Sequence, residues 1–479
     1  MNQKYTEAIG RFMHTLDRHE LTLHSMLIWY KGELLFERYW APYTRERPHR
    51  MYSITKTFIS AGIGALLGEG KISLQDPIIK YFPDKLPEPV PKELQEMTIE
   101  NMLRMQTCFY DIGNWFKPWV TDRTAYYFHC PVSKPAGTVF DYDSTGSYVL
   151  GVLIERLSGK PLLEYLKEKF LNRIGGFEHA EILETPDGTA WGDSGLLCTS
   201  RDLLQFAKLV MNKGCWEGEQ LLPRDYMENA VKPLVDTNIE FYVKYNTKGY
   251  GYKFWTTERN GFSMNGACNQ HAICVPEKDF IVVCTGDCAS KDSRTTDIYF
   301  RAVFEDLLDG LEGREQESYP LPGENLAIES LRMGEKQSPM EARLQDAVFA
   351  CKENPMGIER MSLHFDEEKV VLTYKNAQGD KELAFGRKEN IFQKFPQLGY
   401  SDQRGNVHEL TDFMYDCTCS CAWWDEQTLK LRVQLTDRYC GQLHVTMVFR
   451  DENTMGLRMF KKAEDCLREY EGVLGAYRI

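Results

Sequence analysis

The 479-residue chain lacks any run of the roughly 20 apolar residues needed to cross a bilayer. Its longest apolar stretch, around Phe58 to Leu67, reads as a buried helix, so no membrane partner is expected. The opening Met1-Asn2-Gln3-Lys4-Tyr5-Thr6-Glu7 shows no basic cluster, apolar core or small-residue cleavage site, which leads to the expectation of a cytoplasmic protein. Positive charge is not in excess either. The chain has 57 Lys and Arg against 70 Asp and Glu, a formal charge of -13, and this disfavours nucleic acid, whose phosphates are bound by clustered cations. Two catalytic signatures are missing as well. Without a Gly-x-Ser-x-Gly elbow the α/β-hydrolase reading weakens, and without Gly-x-x-x-x-Gly-Lys-Ser/Thr so does nucleotide binding. The 14 cysteines, lacking an export signal, read as reduced thiols and not as a disulfide framework.

What is present is a soluble, globular composition, 43% hydrophobic and 27% charged, on a chain long enough for two or three domains. Up to about Leu311 strand-like and helical runs alternate. Ser25–Tyr30 and Glu33–Arg38 flank a Lys31-Gly32 turn and predict a β-hairpin. Apolar residues at three- and four-residue spacing predict helices over Lys56–Glu69 and Gly146–Ser158, each ending near a glycine. Residues 313–339 are rich in Glu, Ser, Pro and Gly and read as a linker. Beyond it, short alternating runs such as Val370–Tyr374, Leu429–Val433 and Leu443–Phe449 predict a small all-β domain. The boundaries are therefore 1–312, 313–339 and 340–479.

Within Met51-Tyr-Ser-Ile-Thr-Lys56, Ser53 and Lys56 stand three apart at a helix start and share one face. A serine hydroxyl becomes nucleophilic when a neighbouring base takes its proton, and a desolvated amine can be that base. The helix start adds free N–H groups suited to an oxyanion. By itself the four-residue pattern is weak and is more simply a capping serine beside a solvent lysine.

The longer stretch Tyr52 to Pro83, including Glu69-Gly-Lys-Ile-Ser-Leu74 and Asp76-Pro77, closely resembles the first motif block of the serine β-lactamase-related hydrolases, the group of class C β-lactamases, DD-peptidases and esterases. A second block, Lys134 to Gly159, contains Tyr142-Asp143-Ser144, which looks like that family's Tyr-x-Asn or Tyr-x-Ser. Asp193 to Lys208 resembles the glycine turn and helix start that buttress the site, with Thr199 or Ser200 as N-cap. The resemblance covers roughly residues 20–310. It implies an α+β fold, an antiparallel sheet flanked by helices with a helical insertion, and a C-terminal domain similar to the lipocalin-like barrels appended to some members.

For the site, the resemblance implies Ser53 as nucleophile, Lys56 and Tyr142 as proton carriers, and Ser144 as a hydrogen-bonding group for Lys56 or a substrate amide. The third motif, usually Lys-Thr-Gly or His-x-Gly, aligns with Met264-Asn265-Gly266. Gly266 allows close approach of substrate, the Ala267 N–H would be the second oxyanion donor beside that of Ser53, and the usual cation is missing, with Asn265 able to donate a hydrogen bond in its place. Loss of that cation, which commonly binds a substrate carboxylate, favours a neutral ester or amide of a small molecule over efficient β-lactamase action. Similarly, Met97–Cys108 resembles a family signature but carries Met105 where histidine is common. No metal and no organic cofactor is implied, and the oligomeric state is open.

Other features have bland explanations. Trp115, Phe116, Trp119, Tyr126 and Tyr127 could wall an acyl pocket or simply pack a core. Cys417, Cys419 and Cys421 alternate along a strand and read as core, while His14 and His19 read as surface residues. Two other functions stay open: a D-amino-acid peptidase, amidase or β-lactamase whose missing cation comes from elsewhere, and a catalytically silent binding or scaffold protein.

Overall fold

The Lys31-Gly32 pair has positive φ at both residues, +48° and +82°, the backbone of a two-residue hairpin turn that matches the twist of the strands it joins. That hairpin, β1 (Leu23–Tyr30) and β2 (Glu33–Ala41), begins the first of the two compact units of the computed structural model. The structure describes residues 2–110, 112–113, 120–185, 187–237, 249–288, 294–315, 317–398, 414–463 and 466–479. Trp115, Phe116 and Trp119 lie outside them. The division between the units falls at Leu326 and Ala327.

Five further strands complete the first unit's main sheet: β3 (Gly249–Tyr250), β4 (Trp255–Thr257), β5 (Gly261–Gly266), β6 (Gln270–Val275) and β7 (Phe280–Gly286). Their order is β2-β1-β7-β6-β5-β4-β3, antiparallel throughout, with the two-residue strand Leu326–Ala327 beside β2. Strands β6 and β7 are buried at every residue because both faces of the sheet are covered, and so residues 272–275 and 280–284 read as continuous apolar runs.

On one face lies helix α1 (Gln3–Arg18), capped by Asn2, whose side chain accepts from the Lys4 N–H at 3.1 Å. Its Ile9, Phe12 and Leu16 pack with Met26, Ile28 and Val282 of the sheet and with Val303, Phe304 and Leu307 from the helical run after Thr295. His14, expected at the surface, is half-buried and stacks on Tyr319 at 3.8 Å, because it lies one turn after the buried Gly10, which packs against the Tyr319 backbone.

The second helix, α2 (Thr55–Gly68), is buried on every side from Thr55 to Leu66, and α3 (Ser144–Ser158) packs on it. A helix apolar all round belongs inside a fold, which is why its first turn can hold a desolvated amine. Helix α4 (Ser200–Met211) covers β1, β6 and β7. Thr199 caps it by accepting from the Asp202 N–H at 3.1 Å while Asp202 accepts from the Thr199 N–H at 2.9 Å.

Among its described residues the second unit is β apart from one helical turn, Glu341–Leu344. Nine strands close into a barrel: Val348–Cys351, Arg360–Phe365, Lys369–Asn376, Gly379–Arg387, Asp416–Trp423, Thr428–Leu435, Gly441–Asp451, Thr454–Ala463 and Gly472–Arg478. Neighbours are antiparallel except where Gly386 and Arg387 meet Ser420 and Cys421 in a parallel pairing that closes the ring. Alternation does the sorting: Val370, Leu372 and Tyr374 turn inward and their neighbours do not. Cys417, Cys419 and Cys421 are buried on Asp416–Trp423, and all fourteen cysteines are free thiols. Among the described residues no helix is long and apolar enough to cross a membrane.

Candidate active site

Ser53 sits on a single 3-10 turn, Tyr52–Ile54, that runs directly into α2. The turn is pinned from several sides. Met51 N–H donates to the Leu196 carbonyl at 2.8 Å, and Leu196 N–H donates to Thr55 Oγ1 at 3.1 Å. Tyr52 is held at φ +49°, a left-handed conformation costing on the order of 1–3 kcal/mol for a non-glycine residue. Its ring lies under the buried Arg50 guanidinium, 4.5 Å from the centroid, and Arg50 Nε donates to the Ser194 carbonyl at 3.0 Å. Strain of this kind persists where the surroundings over-determine the backbone, and here they aim the serine.

One turn later Lys56 is 1% exposed. Its Nζ donates to Ser53 Oγ at 2.9 Å and to the Asp193 carbonyl at 2.9 Å, and Asp193 Oδ2 lies 3.9 Å away. Ser53 itself is half-buried. The hydroxyl is thus reachable while the amine beside it is dry, the arrangement a serine–lysine pair needs.

Tyr142 is 36% exposed and presents its ring face to Lys56 Nζ, 5.2 Å from the centroid. The ring is stacked on Trp255 at 5.8 Å and edge-on to Tyr250. Among the described residues no hydrogen bond joins its Oη to Ser53 or Lys56. Asp143, next in the chain, caps α3 by accepting from the Gly146 N–H at 2.8 Å and from the Tyr127 hydroxyl at 3.1 Å. Burial, with the Asp143 charge behind it, pushes the Tyr127 phenol well up, so this tyrosine is a structural donor. Ser144 begins α3, half-buried, and makes no hydrogen bond to Lys56 among the described residues.

The edge of β5 closes the site. A Cβ on Gly266 would sit 2.3 Å from the Met51 carbonyl oxygen, so only glycine lets this strand press against the nucleophile's turn. Ala267 follows, exposed, in the β5–β6 loop. Asn265 faces His271 across the β5–β6 pair, with its Oδ1 3.0 Å from His271 Nδ1. Burial lowers His271 to about 3, so its ring is neutral and its Nδ1–H is the donor. Met264, at the cation's place in the third motif, is fully buried, so the motif offers the neighbouring Asn265 amide backed by an uncharged imidazole, and no cation.

Two neighbouring charges had weak sequence signals. Lys253 lies in the aromatic run Tyr250-Gly-Tyr-Lys-Phe-Trp255, and a lone charge there was the only hint. It is 2% exposed, and its Nζ donates to the Met102 carbonyl at 2.6 Å and touches Met105 Sδ at 3.2 Å. Burial lowers it to about 7, and the charges it faces are Asp143, Lys56 and Asp193. Asp193 lies in the stretch whose sequence reads as a buttress of the site, and its backbone carbonyl and carboxylate both lie against Lys56.

The Beta-lactamase family matches residues 14–303, and the chain belongs to it. It is accordingly a β-lactamase-related hydrolase with an appended barrel. It is 23% identical over 294 residues to the 6-aminohexanoate-dimer hydrolase of Paenarthrobacter ureafaciens, covering 57% of this chain and 75% of that protein. A proposed 6-aminohexanoate-dimer hydrolase from Bacillus anthracis superposes with a TM-score of 0.55 at 21% identity, covering 63% and 83% of the two chains. The octameric penicillin-binding protein homologue of Pyrococcus abyssi aligns with 97% of this chain and 98% of its own, with a TM-score of 0.50 and 16% identity. These likenesses concern the fold.

Proposed function

We propose that the protein is a serine hydrolase that cleaves a neutral ester or amide of a small molecule through an acyl-enzyme on Ser53. The observation that carries this is the 2.9 Å contact between Ser53 Oγ and a Lys56 amine buried beneath it. Ser53 attacks the carbonyl and Lys56 takes its proton. Tyr142 steadies the ammonium with its ring face, and once the side chain turns to bring Oη to the amine its hydroxyl passes the proton toward the leaving group. The Ser53 and Ala267 N–H groups bind the oxyanion, and Ser144 and Asn265 hydrogen-bond the substrate. Methionine in place of a cation at position 264 supports a substrate without a carboxylate at that point, and the 6-aminohexanoate-dimer hydrolase relative supports amide bonds within the range. The site needs no metal or cofactor for these steps.

The test is labelling by a fluorophosphonate probe, read by intact mass and peptide mapping, alongside hydrolysis of paired neutral and carboxylate-bearing nitrophenyl esters. One adduct on Ser53, lost in Ser53→Ala, and a preference for the neutral ester are expected. Folded wild-type protein that no acyl or phosphonyl probe labels would instead favour a binding or scaffold role.

A further inference from the structure

Asp193 is 2% exposed, in the turn that leads the chain into Leu196–Cys198 beside the nucleophile. Its Oδ1 has no hydrogen-bond partner among the described residues. The side-chain nitrogen paired with its Oδ2 is Lys56 Nζ, at 3.9 Å. Arg50 and Arg123, both buried, add positive potential, while Lys253 faces Asp193, Asp143 and Lys56 from the β3–β4 turn. Buried carboxylates are ordinarily satisfied by hydrogen bonds, because an unsatisfied one forfeits its hydration for nothing. This one lies against the amine that must be neutral to act as a base.

We infer that Asp193 is a positioning residue that stores the proton of Lys56, an inference that rests on Ser53 and Lys56 being the reacting pair. The Lys56 ammonium and Asp193 carboxylate exchange for a neutral amine and a carboxylic acid: an N–H bond at Nζ breaks as an O–H bond forms at Oδ2. Total charge is zero before and after, so the buried site gains no uncompensated charge. The exchange requires the 3.9 Å between Nζ and Oδ2 to close to hydrogen-bond reach, about 2.6–3.2 Å. The neutral amine, already 2.9 Å from Ser53 Oγ, then accepts the hydroxyl proton as Ser53 attacks. Burial favours the protonated acid and opposes the separated ions.

The arrangement has a kinetic signature. When the proton moves within the pair, the fraction of competent amine does not depend on pH over the range in which the pair keeps one proton. A lysine working alone instead gives a rate rising about tenfold per pH unit until it is deprotonated. The measurement is the rate of Ser53 phosphonylation by the fluorophosphonate probe from about pH 6 to about pH 9, for wild type, Asp193→Asn and Asp193→Ser. Wild type is expected to be flat within about threefold. Either variant that folds, judged by circular dichroism, is expected to be at least about tenfold slower near pH 7 and to rise with pH.

A wild-type rate that climbs tenfold per unit across that range overturns the inference even if neither variant folds. So does a folded variant with the wild-type shape and rate, which would make Asp193 a counter-ion only. Loss of the parent reading looks different, because Ser53→Ala would then still be labelled.

Discussion

Replacing Lys253 by Met should make the first unit more stable at mildly acid pH and slightly less stable at high pH. A lysine lowered in the folded state binds its proton more weakly there than in the unfolded chain. Below about pH 7 both states are protonated, and the folded chain bears the full cost of a buried ammonium facing Lys56, with Asp143 and Asp193 only partly offsetting it. Between about 7 and 10.5 the unfolded chain holds more protons, so stability climbs with pH; above 10.5 both are neutral and the cost is gone. A fall from 10.5 to about 7 corresponds to about 5 kcal/mol. Methionine removes that cost and fills similar space beside Met102 and Met105, but loses the 2.6 Å hydrogen bond to the Met102 carbonyl, about 1 kcal/mol. The variant should therefore gain about 3–4 kcal/mol near pH 6.5 and lose about 1 near pH 10.5. Urea unfolding at a series of pH values measures this, followed by intrinsic fluorescence, since seven of the nine tryptophans precede residue 327. A difference between the two proteins that stays constant with pH within about 1 kcal/mol would refute the reasoning.

Gly266→Ala should drive its new Cβ against the Met51 carbonyl, 2.3 Å away in the present backbone, and separate β5 from the Ser53 turn. The expected result is a loss of Ser53 labelling of about a hundredfold with about 1–3 kcal/mol of destabilisation by urea titration, and labelling at the wild-type rate would show that β5 does not shape the site. Asp143→Ala should remove the cap on the Gly146 N–H and orphan the buried Tyr127 hydroxyl, costing about 2–3 kcal/mol; a change under about 0.5 kcal/mol in the same titration would contradict the cap.

Much of this was legible in the chain because the signals are local. The hairpin needed only Lys31-Gly32 between alternating strands, and the barrel announced itself in runs such as Val370–Tyr374, where period two separates inside from outside. Ser53 and Lys56 are joined by one turn of helix, so spacing alone put them on one face. Helix starts were less exact: α3 begins at Ser144, because Asp143, inside the Tyr-Asp-Ser block, is its cap. His14 showed the limit of reading a histidine without its neighbours, since Tyr319 lies some three hundred residues away.

By itself, then, the order of residues determined the elements, the two kinds of domain and the serine–lysine pair, all consequences of interactions within one helix, one hairpin or one strand. Only the tertiary structure decided which distant groups share that pair's environment. It set the Asp193 carbonyl and carboxylate against Lys56, the Tyr142 ring over the amine, Lys253 beneath Met102 and Met105, and a neutral His271 behind Asn265. The protonation of buried groups depends on burial and on charges brought together across the fold, and neither is a property of neighbours in sequence.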